Sequence, residues 1–309
     1  MLTEFFTRPV RKGVWTRAEI EVRVQDCPRL PSLRSVDSAL REMLDADERY
    51  TEQISEVIRR DPSLTVRLLR VVNSSYYSLS SPVNSIEEAV FYLGVRQIRQ
   101  LAMLTPVIED FQKLTGRTPF AWREFWRHCI GVAILTREVT SAAHCPDDEA
   151  AYVAGLLHDV GKLAMAASFP AHFVEIQRRV GVGVGVGAPD LLAVETEVLG
   201  LSHPELGAIY LQHHNLPEVI IESVQFHHAP EQASRNAPIV AAVQIADLMV
   251  RHAKIGQSGN SAEVTAEMWL NASGWDILFP NGDAARKAVA QAALGRSLER
   301  LPLILEGLV

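Results

Sequence analysis

Apolar residues in this chain recur mostly at intervals of three and four, which predicts helices over most of its length. Ile54, Val57 and Ile58 share one face after Thr51, a residue suited to an N-cap. Asp61-Pro62 then restarts a helix, with Asp as cap and Pro in the first turn, ahead of Leu64, Leu68, Leu69 and Val72. Asn73-Ser74-Ser75 ends it. Ser85-Ile86-Glu87-Glu88 has the spacing of a capping box and opens a helix carrying Ala89, Val90 and Leu93. Residues 30–110 therefore predict a compact bundle of short helices.

A second helical block begins near Phe120. The spacing predicts helices over Phe125–Val139, Ala150–Leu157 and Phe173–Val180, then from Val194, Pro204 and Pro217, and over Pro238–Ala253. Residues 181–187 alternate glycine and valine, and four glycines in seven residues predict a flexible loop rather than a strand. Gly256–Asn260 reads as another loop. Ser261–Val309 predicts two further helices around a loop at Pro280-Asn281-Gly282. The one strand candidate is Glu21-Val22-Arg23-Val24. The fold class expected is all-α.

Composition narrows the chemistry. The 309 residues carry 30 Lys+Arg against 37 Asp+Glu, a formal net charge of −7, which argues against a nucleic-acid backbone binder. Arg59, Arg60, Arg67 and Arg70 cluster on the helix pair around Asp61-Pro62, yet a solvated face paired with nearby acids is the stronger reading. The three cysteines, Cys27, Cys129 and Cys145, are widely spaced and form no CxxC pair, which disfavours disulfides and thiolate zinc. No apolar run is long enough for a membrane span, and the first residues lack a secretory signal, so a cytoplasmic location is expected. Ten histidines remain to be accounted for.

The most informative run is Gly155-Leu156-Leu157-His158-Asp159-Val160-Gly161-Lys162. Successive residues at the end of a helix set an imidazole and a carboxylate about 100° apart. Such a pair offers nitrogen and oxygen to one divalent cation of the Fe, Mn, Co or Zn type, or forms a plain hydrogen-bonded couple. Gly161 relieves crowding, and Lys162 brings a positive charge suited to a phosphate. His128 lies on an apolar helix face, where a satisfied core histidine is the competing reading. His203 precedes Pro204 at a helix mouth, and His227-His228 close the helix that starts at Pro217. Asp247 shares a stripe with Val240, Val243 and Val250; a carboxylate there needs a cation or a set of donors.

The ordered set His128, His158-Asp159, Lys162, His203-Pro204, His227-His228 and Asp247 resembles the HD superfamily of metal-dependent phosphohydrolases. Leu30-Pro31-Ser32-Leu33, Asp61-Pro62-Ser63-Leu64-Thr65, Leu68 to Ser74, Ser85 to Val90, Leu93-Gly94 and Phe125 to His128 are similar to its HDOD subgroup. The resemblance covers roughly residues 26–250. It implies an HDOD-like domain of two helical subdomains, 26–115 and an HD-like 116–250, between an N-terminal extension (1–25) and a C-terminal helical extension (251–309). The HD-like helical core would pack against the N-terminal helical bundle.

The resemblance further implies one or two divalent metal ions, Fe or Mn or alternatively Zn, Co or Mg, held by His128, His158, Asp159, His203, His227, His228 and Asp247. Asp159 would bridge the ions and Lys162 would hold a phosphate oxygen, the two being the catalytic candidates. The related HD-GYP phosphodiesterases follow their tandem histidines with Glu and a Gly-Tyr-Pro motif. Here the run is His227-His228-Ala229-Pro230-Glu231-Gln232, and eighteen residues separate His228 from Asp247. A bacterial signal-transduction module with a retained metal site is therefore expected, binding a partner protein or a nucleotide-type small molecule. The alternative is a metal-dependent phosphohydrolase acting on a nucleotide or cyclic nucleotide. The stripe of Leu294, Leu298, Leu301, Leu303, Ile304 and Leu305 would pack on the body or serve a homodimer face.

Overall fold

The structure is a computed structural model that describes residues 15–25, 27, scattered positions between 69 and 94, and residues 118–145, 148–181, 189–280 and 283–306. The helices expected after Thr51 and at Asp61-Pro62, the arginines around them, and residues 182–187 of the glycine run lie outside the described residues. The chain divides into two compact units, one of Met1–Arg29 with Gln112–Leu294 and one of Leu30–Phe111 with Gly295–Val309.

The second unit retains two of the predicted local devices. Asn73 follows a helical residue and pins Val83: its Oδ1 accepts from the Val83 amide at 2.7 Å and its Nδ2 donates to the Val83 carbonyl at 2.8 Å. Ser85 Oγ accepts from the Glu88 amide at 3.1 Å, the Ser half of the expected capping box.

In the first unit every described element is helical. In chain order these are α1 (Arg17–Gln25), α2 (Trp122–Ala142), α3 (Asp148–Leu157), α4 (Val160–Ser168), α5 (Pro170–Gly181), α6 (Leu191–Val198), α7 (His203–His213), α8 (Glu218–Phe226) and α9 (Ala237–His252). Two five-residue helices, α10 (Ala266–Leu270) and α11 (Gly274–Leu278), follow, and the long α12 (Ala284–Leu305) begins in this unit and ends in the second. The two helices expected after Ser261 are thus three, because Thr265 and Ser273 each start a short turn of helix that packs on α9.

The strand candidate Glu21–Val24 is corrected: it lies inside α1. Val22 and Val24 suggested alternation, but Val22 is 62% exposed while Ile20 and Val24, four residues apart, are fully buried. A spacing of four is one helix face.

Helix α2 buries Phe125, Cys129, Val132, Thr136 and Val139, a face of three-four spacing that packs on α3 and α9. Helix α9 is the centre of this unit, with Val240, Val243, Ala246 and Val250 buried against α2, α3, α8 and α11. Helix α7 packs on α4 and α8. On α12, Leu294, Leu301 and Leu305 are buried while Leu303 is 39% exposed. Among the described residues no helix is long and apolar enough to cross a membrane.

Candidate metal centre

Five helix segments deliver the seven predicted ligand residues to one place. His128 comes from the buried face of α2 and Asp247 from the middle of α9. His158-Asp159 form the junction between α3 and α4. Asp159 occupies the N-cap of α4, where its residue type would normally accept from the first-turn amides, yet its side chain makes no cap bond. The carboxylate turns instead toward the imidazoles. His203 opens α7 directly after Ser202, whose amide and hydroxyl both donate to Glu205 at 2.9 and 2.7 Å. His227-His228 follow the last residue of α8.

Gly161 makes this convergence sterically feasible. A Cβ there would collide with the carbonyl oxygen of His203, and one at Gly207 would lie 3.0 Å from the Gly161 amide nitrogen. Only with glycine at these positions do the starts of α4 and α7 approach closely enough for Asp159 and His203 to meet.

The side chains form two clusters about Asp159. His128, His158 and Asp159 offer ligand atoms within 4.8 Å of one another, and so do His203, His227 and His228. Asp159 faces both. Its Oδ2 lies 3.4 Å from His158 Nε2 and 4.0 Å from His128 Nε2, while its Oδ1 lies 3.1 Å from His203 Nε2 and 3.8 Å from His227 Nε2. Asp247 completes the first cluster, with Oδ1 at 3.1 Å from His128 Nε2 and 3.9 Å from His158 Nε2. All are buried except His228, which is half-buried.

Backbone and carboxylate oxygens set the imidazole tautomers. His158 Nδ1 lies 2.7 Å from the Gly155 carbonyl and His227 Nδ1 lies 2.8 Å from the Val224 carbonyl. A carbonyl only accepts, so each Nδ1 carries the proton and each Nε2 presents a lone pair to the centre. His203 is oriented in the same sense by Glu195, whose Oε2 accepts from both Nδ1 and the backbone amide of His203 at 2.8 Å.

Electrostatics hold protons off several of these groups. Burial holds His128 below the usual imidazole range, and burial with the neighbouring imidazoles of His228 and His158 holds His227 well below it. Burial and His203 push His228 down to about 3. His203 is the exception: burial opposes its charging, but Glu195 and Asp159 together outweigh burial and raise it. Burial likewise opposes charge on the two aspartates. Lys162 and His158 nonetheless hold Asp159 well below the carboxylate range, and His128 and Arg251 do the same for Asp247.

The donor set fits a divalent cation. His227 Nε2 and Asp159 Oδ1 are buried and make no hydrogen bond, a costly arrangement that an ion placed among them would relieve. Neutral imidazoles and ionised carboxylates are the protonation states that ligation requires, and their mixture suits a first-row transition ion.

Lys162, the residue expected to hold a phosphate oxygen, is buried, and its Nζ donates to Asp159 Oδ2 at 2.6 Å. Two partners escaped the sequence reading. Glu195 lies with Leu191, Val194 and Val198 on the buried face of α6, the same carboxylate-on-an-apolar-stripe signal that singled out Asp247. Arg251, one turn beyond Asp247, places Nη1 3.6 Å from Asp247 Oδ2. The other five histidines stay outside both clusters; His172, for example, accepts from Trp15 Nε1 at 3.2 Å.

The all-helical fold and the buried histidine and aspartate clusters can be set beside known proteins. The HDOD domain family model matches residues 30–230, and the chain belongs to the HDOD domain family.

An HDOD domain protein of unknown function from Geobacter sulfurreducens superposes with a TM-score of 0.78 at 23% identity, over 95% of this chain and 99% of that one. A candidate phosphohydrolase from Shewanella amazonensis SB2B gives 0.63 at 22% identity, over 96% and 100%. A candidate signal transduction protein from Marinobacter aquaeolei VT8 gives 0.69 at 20% identity, over 99% and 63%. An uncharacterized protein of Treponema pallidum (strain Nichols) is 28% identical over 244 residues, which cover 76% of this chain but 44% of that protein. The chain thus spans less than half the length of this curated relative.

Proposed function

We propose that this protein is a regulatory module of bacterial signal transduction whose HDOD domain, residues 26–250, holds a divalent metal centre. In this reading residues 26–115 are the N-terminal subdomain and 116–250 the metal-bearing one, flanked by extensions at 1–25 and 251–309. His128, His158, Asp159 and Asp247 hold one ion. His203, His227 and His228 hold a second, with Asp159 shared. The nitrogen-rich set favours Mn, Fe, Co or Zn over Mg. The single observation that carries the reading is the pinning of His158, His203 and His227 at Nδ1, which aims three imidazole lone pairs around one buried carboxylate.

Two features favour a regulatory role over a hydrolytic one. The tandem histidines lack the Glu and Gly-Tyr-Pro that follow them in HD-GYP phosphodiesterases. Lys162 is committed to Asp159. Control then comes through a partner protein or a nucleotide-type ligand.

A second reading, a phosphohydrolase acting on a nucleotide or cyclic nucleotide, is favoured by the two clusters on either side of Asp159. Bound ions would supply Lewis acidity, activating a coordinated water and neutralising charge that develops on a phosphoryl group. The chain's own contribution would be positional: Asp159 fixes the two clusters relative to each other, Glu195 holds His203, and the half-buried His228 marks the side facing solvent.

Metal content after purification without a histidine tag, followed by hydrolysis assays on a phosphodiester panel, tests both. Near-stoichiometric metal that is lost in His158→Ala, with no turnover, is the expected result. Turnover that His158→Ala abolishes would replace the first reading by the second. A folded chain that takes up no metal when Mn or Fe is supplied would sink both.

A further inference from the structure

A cleft of about 640 Å³ opens beside the centre, between α2, the end of α5, the end of α9 and the segment 256–264. This is the volume range of small-molecule sites. His128 forms part of its wall, so the cleft and the first cluster share a residue. The 256–264 segment is pinned to α2 at that residue. Gly256 is in the left-handed region (φ +67) and lies so close to the Glu124 carbonyl and the His128 amide that a Cβ would clash with both. The neighbouring Gln257 amide donates to the Glu124 carbonyl at 2.9 Å.

Arg251 connects cleft and centre. It lines the cleft, and its side chain is 12% exposed. One of its terminal nitrogens donates to the Ala262 carbonyl at 3.2 Å, the other stands 3.6 Å from Asp247 Oδ2, and its Nε is buried without a hydrogen bond. The pairing with Asp247 is loose, beyond hydrogen-bond reach. Asp247 in turn meets His128 at 3.1 Å. The cationic Lys254 stands exposed in the cleft lining, and Glu263 is its one acidic residue.

We propose that this cleft binds a small molecule bearing an anionic group, carboxylate or phosphate, and that the anion draws Arg251 away from Asp247 and so strengthens metal binding at the His128 cluster. The anion offers Arg251 a charge-assisted partner that Asp247 supplies only at a distance. Freed of its counter-ion, Asp247 is a better ligand. Ligand and metal then raise each other's affinity by the same factor. The ligand site stands on the cleft alone; the coupling rests on the metal centre proposed above.

Titration calorimetry on the full chain tests both parts, with AMP as the phosphate probe, succinate as the carboxylate probe and adenosine as the uncharged control. One anionic probe is expected to bind saturably, and which one does so identifies the anion; adenosine is expected to bind at least about tenfold more weakly. Lys254→Glu, at an exposed position, is expected to weaken the anionic probe about tenfold with an unchanged melting temperature. Mn²⁺ affinity should rise about fivefold or more when the probe is present. In Arg251→Met it should start higher and no longer respond. Failure of both anionic probes to saturate, or binding unaltered in Lys254→Glu, overturns the site. Probe binding with no uptake of Mn²⁺ overturns the coupling and the metal reading, and leaves the site standing. Mn²⁺ uptake indifferent to a bound probe overturns the coupling alone.

Discussion

Glu222 and Asp159 are both buried carboxylates in the same unit, and they are treated in opposite ways. Glu222, 4% exposed on α8, is surrounded by donors of the segment that leads into α9. Its Oε1 accepts from the Ser234 amide and hydroxyl at 3.1 and 2.7 Å, and its Oε2 accepts from the Asn236 amide and Nδ2 at 2.9 and 2.8 Å. Burial alone would raise its carboxyl pKa, but these donors, the Ser234 hydroxyl foremost, bring it down to about 2.

Asp159 has one protein donor within hydrogen-bond distance at Oδ2 and none satisfying Oδ1, and it faces imidazoles that are pinned at Nδ1 and so point an Nε2 lone pair inward. A buried carboxylate fully met by N–H and O–H groups ties a loop down. One met by lone pairs calls for a cation.

The largest test of that contrast is Asp159→Asn. It removes the charge shared by both clusters and is expected to lower Mn²⁺ affinity by more than about a thousandfold, since in the proposed centre a carboxylate ligand common to two positions would be lost. Calorimetry or metal analysis reads it, and near-native affinity would break the contrast.

Glu195→Gln is expected to cost about ten- to a hundredfold in metal affinity, the usual effect of losing the residue that orients a ligand histidine. The helical circular-dichroism signal should be unchanged.

Glu222→Gln is expected to do the reverse. It should lower stability by about 2 kcal/mol in chemical denaturation, because charge-assisted bonds to the Ser234–Asn236 segment weaken, and leave metal content unchanged. Loss of metal in this variant would erase the distinction between the two carboxylates.

The smallest effect is a difference in pH dependence. Glu222 has a depressed pKa in the folded chain, so its contribution is complete above its ordinary value of 4.5 and is lost as pH falls from there through about 2. Denaturation midpoints of the natural chain and Glu222→Gln should therefore converge over that window and stay apart at neutral pH. A gap that persists at pH 2 would contradict the assignment.

Local patterns were informative where one residue type has one dominant cause. The three-four spacing foretold α2 and α9, and Asp247 on a valine stripe marked a buried charge. Glu195 stands on a stripe of the same kind, but its partner His203 lies eight residues away, beyond the end of its own helix. The valines of α1 misled because a two-residue spacing on a nine-residue helix imitates a strand until burial separates Val22 from Val24. The approach of α4 to α7 had Gly161 and Gly207 as its local traces.

From the sequence alone followed the residue types, their order and the helical period that places each on a face, since these depend on the chain's own geometry and on neighbours within a turn or two. The tertiary structure decided which carboxylate answers to protein donors and which to imidazoles, that Lys162 pairs with Asp159, and that Arg251 stands between the cleft and Asp247. Lys162 and Arg251 stand one helical turn from their aspartates, but the imidazoles that meet Asp159 and the donors that meet Glu222 lie far apart along the chain and are brought within about 4 Å. At that range hydrogen bonds and Coulomb interactions in a buried setting become strong enough to assign a role.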